Sequence, residues 1–149
     1  MAEDRIERET LIEASVERVW SLVAEPGFWA ADAGSVSGTV AREGELVVAK
    51  HSEYGVFPVR VEKVDPPTYL AYRWASAFSG QEPDERNSTL VEFTLTAEGD
   101  RRTRLRVVES GFAALNGSEE LRAGAHRDNT GGWAQVVDAL KQRAEEQAG

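Results

Sequence analysis

His51 and His126 are the only imidazoles in the chain, and there is no cysteine. A structural or catalytic metal site takes three or four N, S or O ligands, so this pair would need carboxylates recruited from elsewhere. The plainer reading is two solvent-exposed histidines, and no metal is expected. Gly34-Ser-Val-Ser-Gly38 comes close to a hydrolase nucleophile elbow but places Val36 where the serine nucleophile would stand. No Gly-Lys-Ser/Thr phosphate loop occurs, and no Gly-x-Gly-x-x-Gly follows a strand, so nucleotide sites of those kinds are not expected. The sequence carries no catalytic signature and implies no cofactor.

The residues left for chemistry are aromatic, apolar and, in one place, acidic. Tyr72 and Trp74 share a face with Leu70, Phe93 falls in the set Thr89, Val91, Phe93, Leu95, and Leu105 and Val107 belong to Thr103, Leu105, Val107, Glu109. Facing them would be Trp133, Val136 and Val137. Such stripes either fill a core or wall a cavity. Glu109 bears on that choice, because an ionised carboxylate is costly to bury unless it is paired or open to water. It lies at a cavity mouth, or the strand bulges near Ser110-Gly111 and leaves it in solvent. With Phe112 as a further apolar wall and Arg8 as a second polar group to orient a ligand, these eleven residues form the candidate site.

The elements that must position them follow from periodicity. Trp133, Val136, Val137, Leu140 and Ala144 fall on one face of a helix, with Gln135, Asp138, Lys141, Gln142 and Glu145 opposite. Ser118-Glu-Glu-Leu121 reads as its start, so the helix either runs unbroken to Gln147 or kinks at Gly131-Gly132, where each glycine costs about 1 kcal/mol relative to Ala. Before it, alternation predicts strands over Arg5–Glu13, Val36–Arg42, Glu45–Ser52, Val56–Val64, Tyr69–Ala75, Ser88–Thr96 and Arg102–Glu109. Short connections such as Glu43-Gly44, Tyr54-Gly55 and Glu98-Gly99-Asp100 make the sheet an antiparallel meander. Asp65-Pro66-Pro67 forces a turn, and the segment Phe78–Asn87 reads as a polar loop. Two short helices follow the first strand. Ser15 caps one containing Val16, Val19, Trp20 and Val23, and Phe28–Asp32 adds a turn. One amphipathic helix after so many strands buries its stripe against the concave face of the sheet, giving an α+β domain of sheet against helix.

With 149 residues, 41% of them hydrophobic, the chain suffices for one domain with a sizeable core. No apolar run reaches the roughly 20 residues of a membrane span, and the charged N-terminus does not resemble a secretory signal, so a cytoplasmic protein is expected. A formal charge of -9 opposes binding to nucleic acid.

Several motifs in order carry a family resemblance: Ala14-Ser-x-Glu17-x-Val19-Trp20, Val64-Asp-Pro66-Pro67-x-x-Leu70-x-Tyr72-x-Trp74, Thr103-x-Leu105 leading to Gly111-Phe112, and Gly132-Trp133. Together they resemble the START-like (SRPBCC) superfamily and, within it, the branch named after the activator of heat-shock-protein-90 ATPase. The resemblance implies a helix-grip fold, in which a curved antiparallel sheet wraps a long C-terminal helix. It implies no single activity, since members bind lipids, hormones or polyketides. Two function classes follow. One is a module binding a small apolar or aromatic ligand between sheet and helix, with a polyketide-cyclase-like enzyme as its catalytic variant. The other is a co-chaperone-like protein-interaction domain. For the second, no stimulation of a heat-shock-protein-90 ATPase is expected from a single acidic domain without the second domain a full activator would use.

Overall fold

Residues that alternate in sequence take up one six-stranded antiparallel sheet, and the computed structural model describes residues 5–23, 42–51, 55–75, 83–84 and 86–146 of the chain. Its strands are β1 (Arg5–Ile12), β2 (Leu46–His51), β3 (Gly55–Asp65), β4 (Tyr69–Trp74), β5 (Thr89–Ala97) and β6 (Thr103–Ser110). They are ordered β1-β6-β5-β4-β3-β2, so the first strand crosses to pair with the last and the others form a meander. The predicted helical turn at Phe28–Asp32, the 34–38 loop and the strand from Val36 lie outside the described residues.

Register puts the apolar positions in rows across the sheet. Val61, Tyr72, Val91, Glu109 and Ile6 form one row, and Leu70, Phe93 and Val107 the next. A bulge in β3 between Val61 and Lys63 restores the phase, so that Val61 and Val64 pair in turn with the inward Tyr72 and Leu70. At the tip of the β5–β6 hairpin Gly99 adopts φ +108°, a left-handed conformation that glycine takes without a Cβ penalty.

Helix α1 (Val16–Val23) starts where the Ser15 hydroxyl accepts the Arg18 N–H at 3.2 Å, the predicted cap. It buries Val19, Leu22 and Val23, and the Tyr72 hydroxyl donates to the Val23 carbonyl at 2.8 Å, tying its last turn to the sheet. After a single 3-10 turn (Phe112–Ala114), helix α2 spans Glu119–Glu146 without interruption. Ser118 caps it, accepting the Leu121 N–H at 3.1 Å, and Glu119 and Glu120 complement the positive end of its dipole. The predicted stripe is the buried one: Trp133, Val137, Leu140 and Ala144 are buried and Val136 packs beside them.

Helix α2 also closes one edge of the sheet. His126 Nε2 meets the Arg5 carbonyl at 3.0 Å, the Lys141 ammonium donates to the Leu11 carbonyl at 2.8 Å, and the Glu145 carboxylate accepts the Glu13 N–H at 2.9 Å. Groups at both ends of the outer edge of β1 are thereby satisfied, which limits this edge as a template for another strand. His126 also meets the ring of Phe112 edge-on at 5.2 Å. It is half-buried between sheet and helix rather than solvent-exposed as the sequence suggested, because its helix lies over β1.

Candidate functional site

Thr103, Leu105, Val107 and Glu109 all point at the helix and all are buried, so the inward phase of β6 holds to its end. Glu109 sits in regular register between Val91 and Ile6 with 0% exposure. Neither a bulge nor a solvated cavity mouth relieves it. Four neutral donors do so instead. The indole N–H of Trp133 donates to Oε1 at 2.6 Å and that of Trp74 to Oε2 at 2.9 Å. The Asn129 amide donates to both oxygens, at 3.0 and 3.1 Å, and the Thr89 hydroxyl donates to Oε2. Among the described residues no cation touches this carboxyl.

The convergence has a simple geometric origin. Trp74 and Thr89 are register partners on β4 and β5, one row away from Glu109. Asn129 and Trp133 are one helical turn apart on α2, so both reach down from the same face. An indole N–H can only donate, and a carboxylate can only accept, so the donor set matches the ionised form. Burial nevertheless pushes the Glu109 carboxyl above its ordinary value, while the bonds from Thr89, Trp133, Trp74 and Asn129 pull it back.

Aromatic rings pack around this centre. Trp74 and Trp133 lie 6.2 Å apart, centroid to centroid, at 56°, Phe93 meets Trp133 edge-on at 5.8 Å, and Tyr72 meets Phe93 edge-on at 6.2 Å. A flat ring held between two others requires about 7 Å, two contacts of roughly 3.5 Å. The space expected between the faces of Trp74 and Trp133 is therefore closed by the two indoles themselves and bridged by Glu109. Nor are the polar tips of Tyr72, Trp74 and Trp133 free to orient a ligand there, since each donates to the protein. Trp74 remains partly exposed and Trp133 is buried.

Of the residues singled out from sequence, Tyr72, Trp74, Phe93, Glu109 and Trp133 form one connected cluster. Leu105, Val107 and Val137 are buried in the same core, with Val136 half-buried beside them. Phe112 is buried against His126, on the turn that follows β6. Arg8 belongs to the helix-side face by register, opposite Val107, yet its side chain is exposed, because β1 is the edge strand. Thr89 and Asn129 complete the cluster and were absent from the sequence-based set. The spacing of Asn129 and Trp133 was the available signal.

Over residues 13–145 the sequence matches the family described as activator of Hsp90 ATPase homolog 1-like protein. The chain belongs to this family. Its described architecture is the helix-grip fold of the START-like superfamily, as the sequence motifs implied. Among solved structures, protein MLL2253 from Mesorhizobium loti has a TM-score of 0.72 at 21% identity, over 96% of this chain and 98% of that one. DynU16, a putative protein in the dynemicin biosynthetic locus, has a TM-score of 0.69 at 22% identity, over 94% of this chain and 46% of its own. The Aha1 dimer from Colwellia psychrerythraea has a TM-score of 0.65 at 17% identity, over 99% of this chain and 100% of that one. At these identities the likeness is one of fold. No curated protein matches the sequence. Among the described residues, no helix is long and apolar enough to cross a membrane.

Proposed function

We propose that this chain is a binding module for ring-bearing apolar small molecules, with Glu109 as the residue that fixes its aromatic wall. The observation that carries this reading is the fully buried carboxyl under two indoles, at the junction of sheet and helix. An ionisable group held by neutral donors stabilises a core less than well-packed apolar residues would, and groups of this kind concentrate at functional sites. Glu109 fixes the ring planes of Trp74 and Trp133 through their N–H groups. Trp74, the partly exposed member, is the side from which a ligand is met. The ligand lies beside Trp74 rather than sandwiched against Trp133, so of the contacts derived from sequence Trp74 is met directly, while Phe93, Leu105, Val107 and Trp133 pack behind it.

Glu109 is a positioning residue in this account and not an acid or base. Both of its oxygens are occupied by protein donors, and a general acid or base must reach the substrate within hydrogen-bond distance. The polyketide-cyclase-like variant would call for an acid or base other than Glu109. A fold relative within a biosynthetic locus accords with ligand binding. The likeness to the Aha1 dimer and the family description favour the second reading, a protein-interaction domain.

A thermal-shift screen against flavonoids, aromatic polyketides and straight-chain lipids, run beside a pull-down, separates the two. Stabilisation by ring compounds exceeding that by acyl chains is the expected result. A captured protein partner with no small-molecule response would reverse the order of the readings.

A further inference from the structure

On the face of the sheet turned away from α2, Arg60 of β3 and Arg73 of β4 are direct register partners. Like charges placed opposite one another across two strands destabilise the pair unless something neutralises them. Glu62 answers one of the two, accepting the Arg73 Nε–H at 3.1 Å. Arg60 is partly exposed and, among the described residues, makes no ion pair and no side-chain hydrogen bond. Both arginines line a half-open groove of about 600 Å³, with Pro83, Asp84 and Ser88 also on its lining. That volume falls within the range of small-molecule sites.

Asp84 and Ser88 are already satisfied internally. Asp84 Oδ1 accepts the N–H groups of Arg86 at 2.7 Å and Asn87 at 3.0 Å, and the Ser88 hydroxyl donates to the Asp84 carbonyl. Among the described residues, the charge in the groove without an ion-pair partner is thus the Arg60 guanidinium. A planar fork of N–H donors matches a carboxylate in bidentate fashion. Among the described lining residues Glu62 and Asp84 offset the formal charge of the two arginines, which suits a monoanion better than a doubly charged phosphate.

We propose that this groove binds the carboxylate of a small organic acid. Arg60 forms the ion pair, and Arg73 adds donors from a side chain that Glu62 holds in place. This site is on the opposite face of the sheet from the Trp74 wall and stands or falls independently of it.

The test is a titration of the whole protein with hexanoate, hexanol and inorganic phosphate, followed through the arginine Nε–H resonances. A straight acyl chain is used because the aromatic wall is expected to disfavour it. Saturable shifts at Arg60 and Arg73 with hexanoate are expected, with weaker binding of phosphate and none of hexanol. Arg60→Gln should weaken hexanoate binding at least tenfold, Arg60→Lys should give an intermediate loss, and the surface control Arg104→Gln should leave it unchanged. Far-UV circular dichroism confirms that each variant is folded. The proposal is overturned if the shifts with hexanoate do not saturate, if Arg60→Gln and Arg60→Lys bind it as the parent does, or if phosphate binds more tightly than hexanoate.

Discussion

Glu109 is the residue on which the interior turns, and its chemistry makes a signed prediction about pH. Desolvation raises its folded-state pKa above the ordinary value of 4.5, so between that value and the raised one the folded protein binds more protons than the unfolded chain. Its contribution to stability is full below about 4.5 and is lost as pH rises through the folded pKa. Urea unfolding of the parent and of Glu109→Gln across pH 4.5 to 8 isolates it. The stability difference, parent minus variant, should fall as pH rises, with a slope of at most about 1.4 kcal/mol per pH unit for one proton. A rising difference would mean that the donor cage outweighs burial. At this scale the sequence revealed the inward phase, since Glu109 follows Thr103, Leu105 and Val107 at period 2. It did not reveal the resolution of the conflict, because the donors Trp74, Thr89, Asn129 and Trp133 come from β4, β5 and α2 and meet only after folding. Arg8 shows a related limit. Its alternation is correct, but its strand is the sheet's edge.

Among the elements, α2 carries the clearest expectations. Trp133 is buried, meets Phe93 and Trp74, and donates to Glu109, so Trp133→Ala should cost on the order of 3 to 5 kcal/mol through lost transfer energy and the cavity left behind. Gln142 is exposed on the opposite face, and Gln142→Ala should change stability by less than about 0.5 kcal/mol. Denaturant midpoints for the two variants check the pair together, and an unchanged midpoint for Trp133→Ala would contradict the packing described above. The two glycines in the middle of the helix give a prediction of the other sign. Gly131 and Gly132 are exposed, and a Cβ added at either position meets nothing within 4 Å. Gly131→Ala and Gly132→Ala should each stabilise the protein by about 0.5 to 1 kcal/mol, by removing backbone freedom from the unfolded chain. A loss of stability on either change would show that the glycine serves a contact that the helix does not display. The helix was legible because its apolar stripe is sustained for three turns after Trp133. Its continuity through two glycines was not, because propensity alone disfavours it and only the packing on either side overrides that cost.

For the whole molecule, strand alternation and one amphipathic helix sufficed to foresee the sheet-against-helix architecture. The crossover that pairs β1 with β6 is set by register rather than by any local signal. The sequence left open whether the interior between sheet and helix is filled or hollow, and placed any ligand between Trp74 and Trp133. Instead, side-chain volume and a hydrogen-bonded carboxyl close the gap between Trp74 and Trp133, which moves the proposed ligand to the exposed side of Trp74. That shift is measurable through the chain's four tryptophans. Trp133 is buried and Trp20, on α1, packs against the core, so among the described tryptophans the signal from a ligand on the wall should come mainly from Trp74. The most direct test is a fluorescence titration of the parent, Trp74→Phe and Trp20→Phe with a ring compound that stabilises the protein. A saturable quench in the parent, mostly lost in Trp74→Phe and largely retained in Trp20→Phe, is the predicted result. A saturable quench that survives intact in Trp74→Phe, or none with any ring compound, would contradict the binding wall.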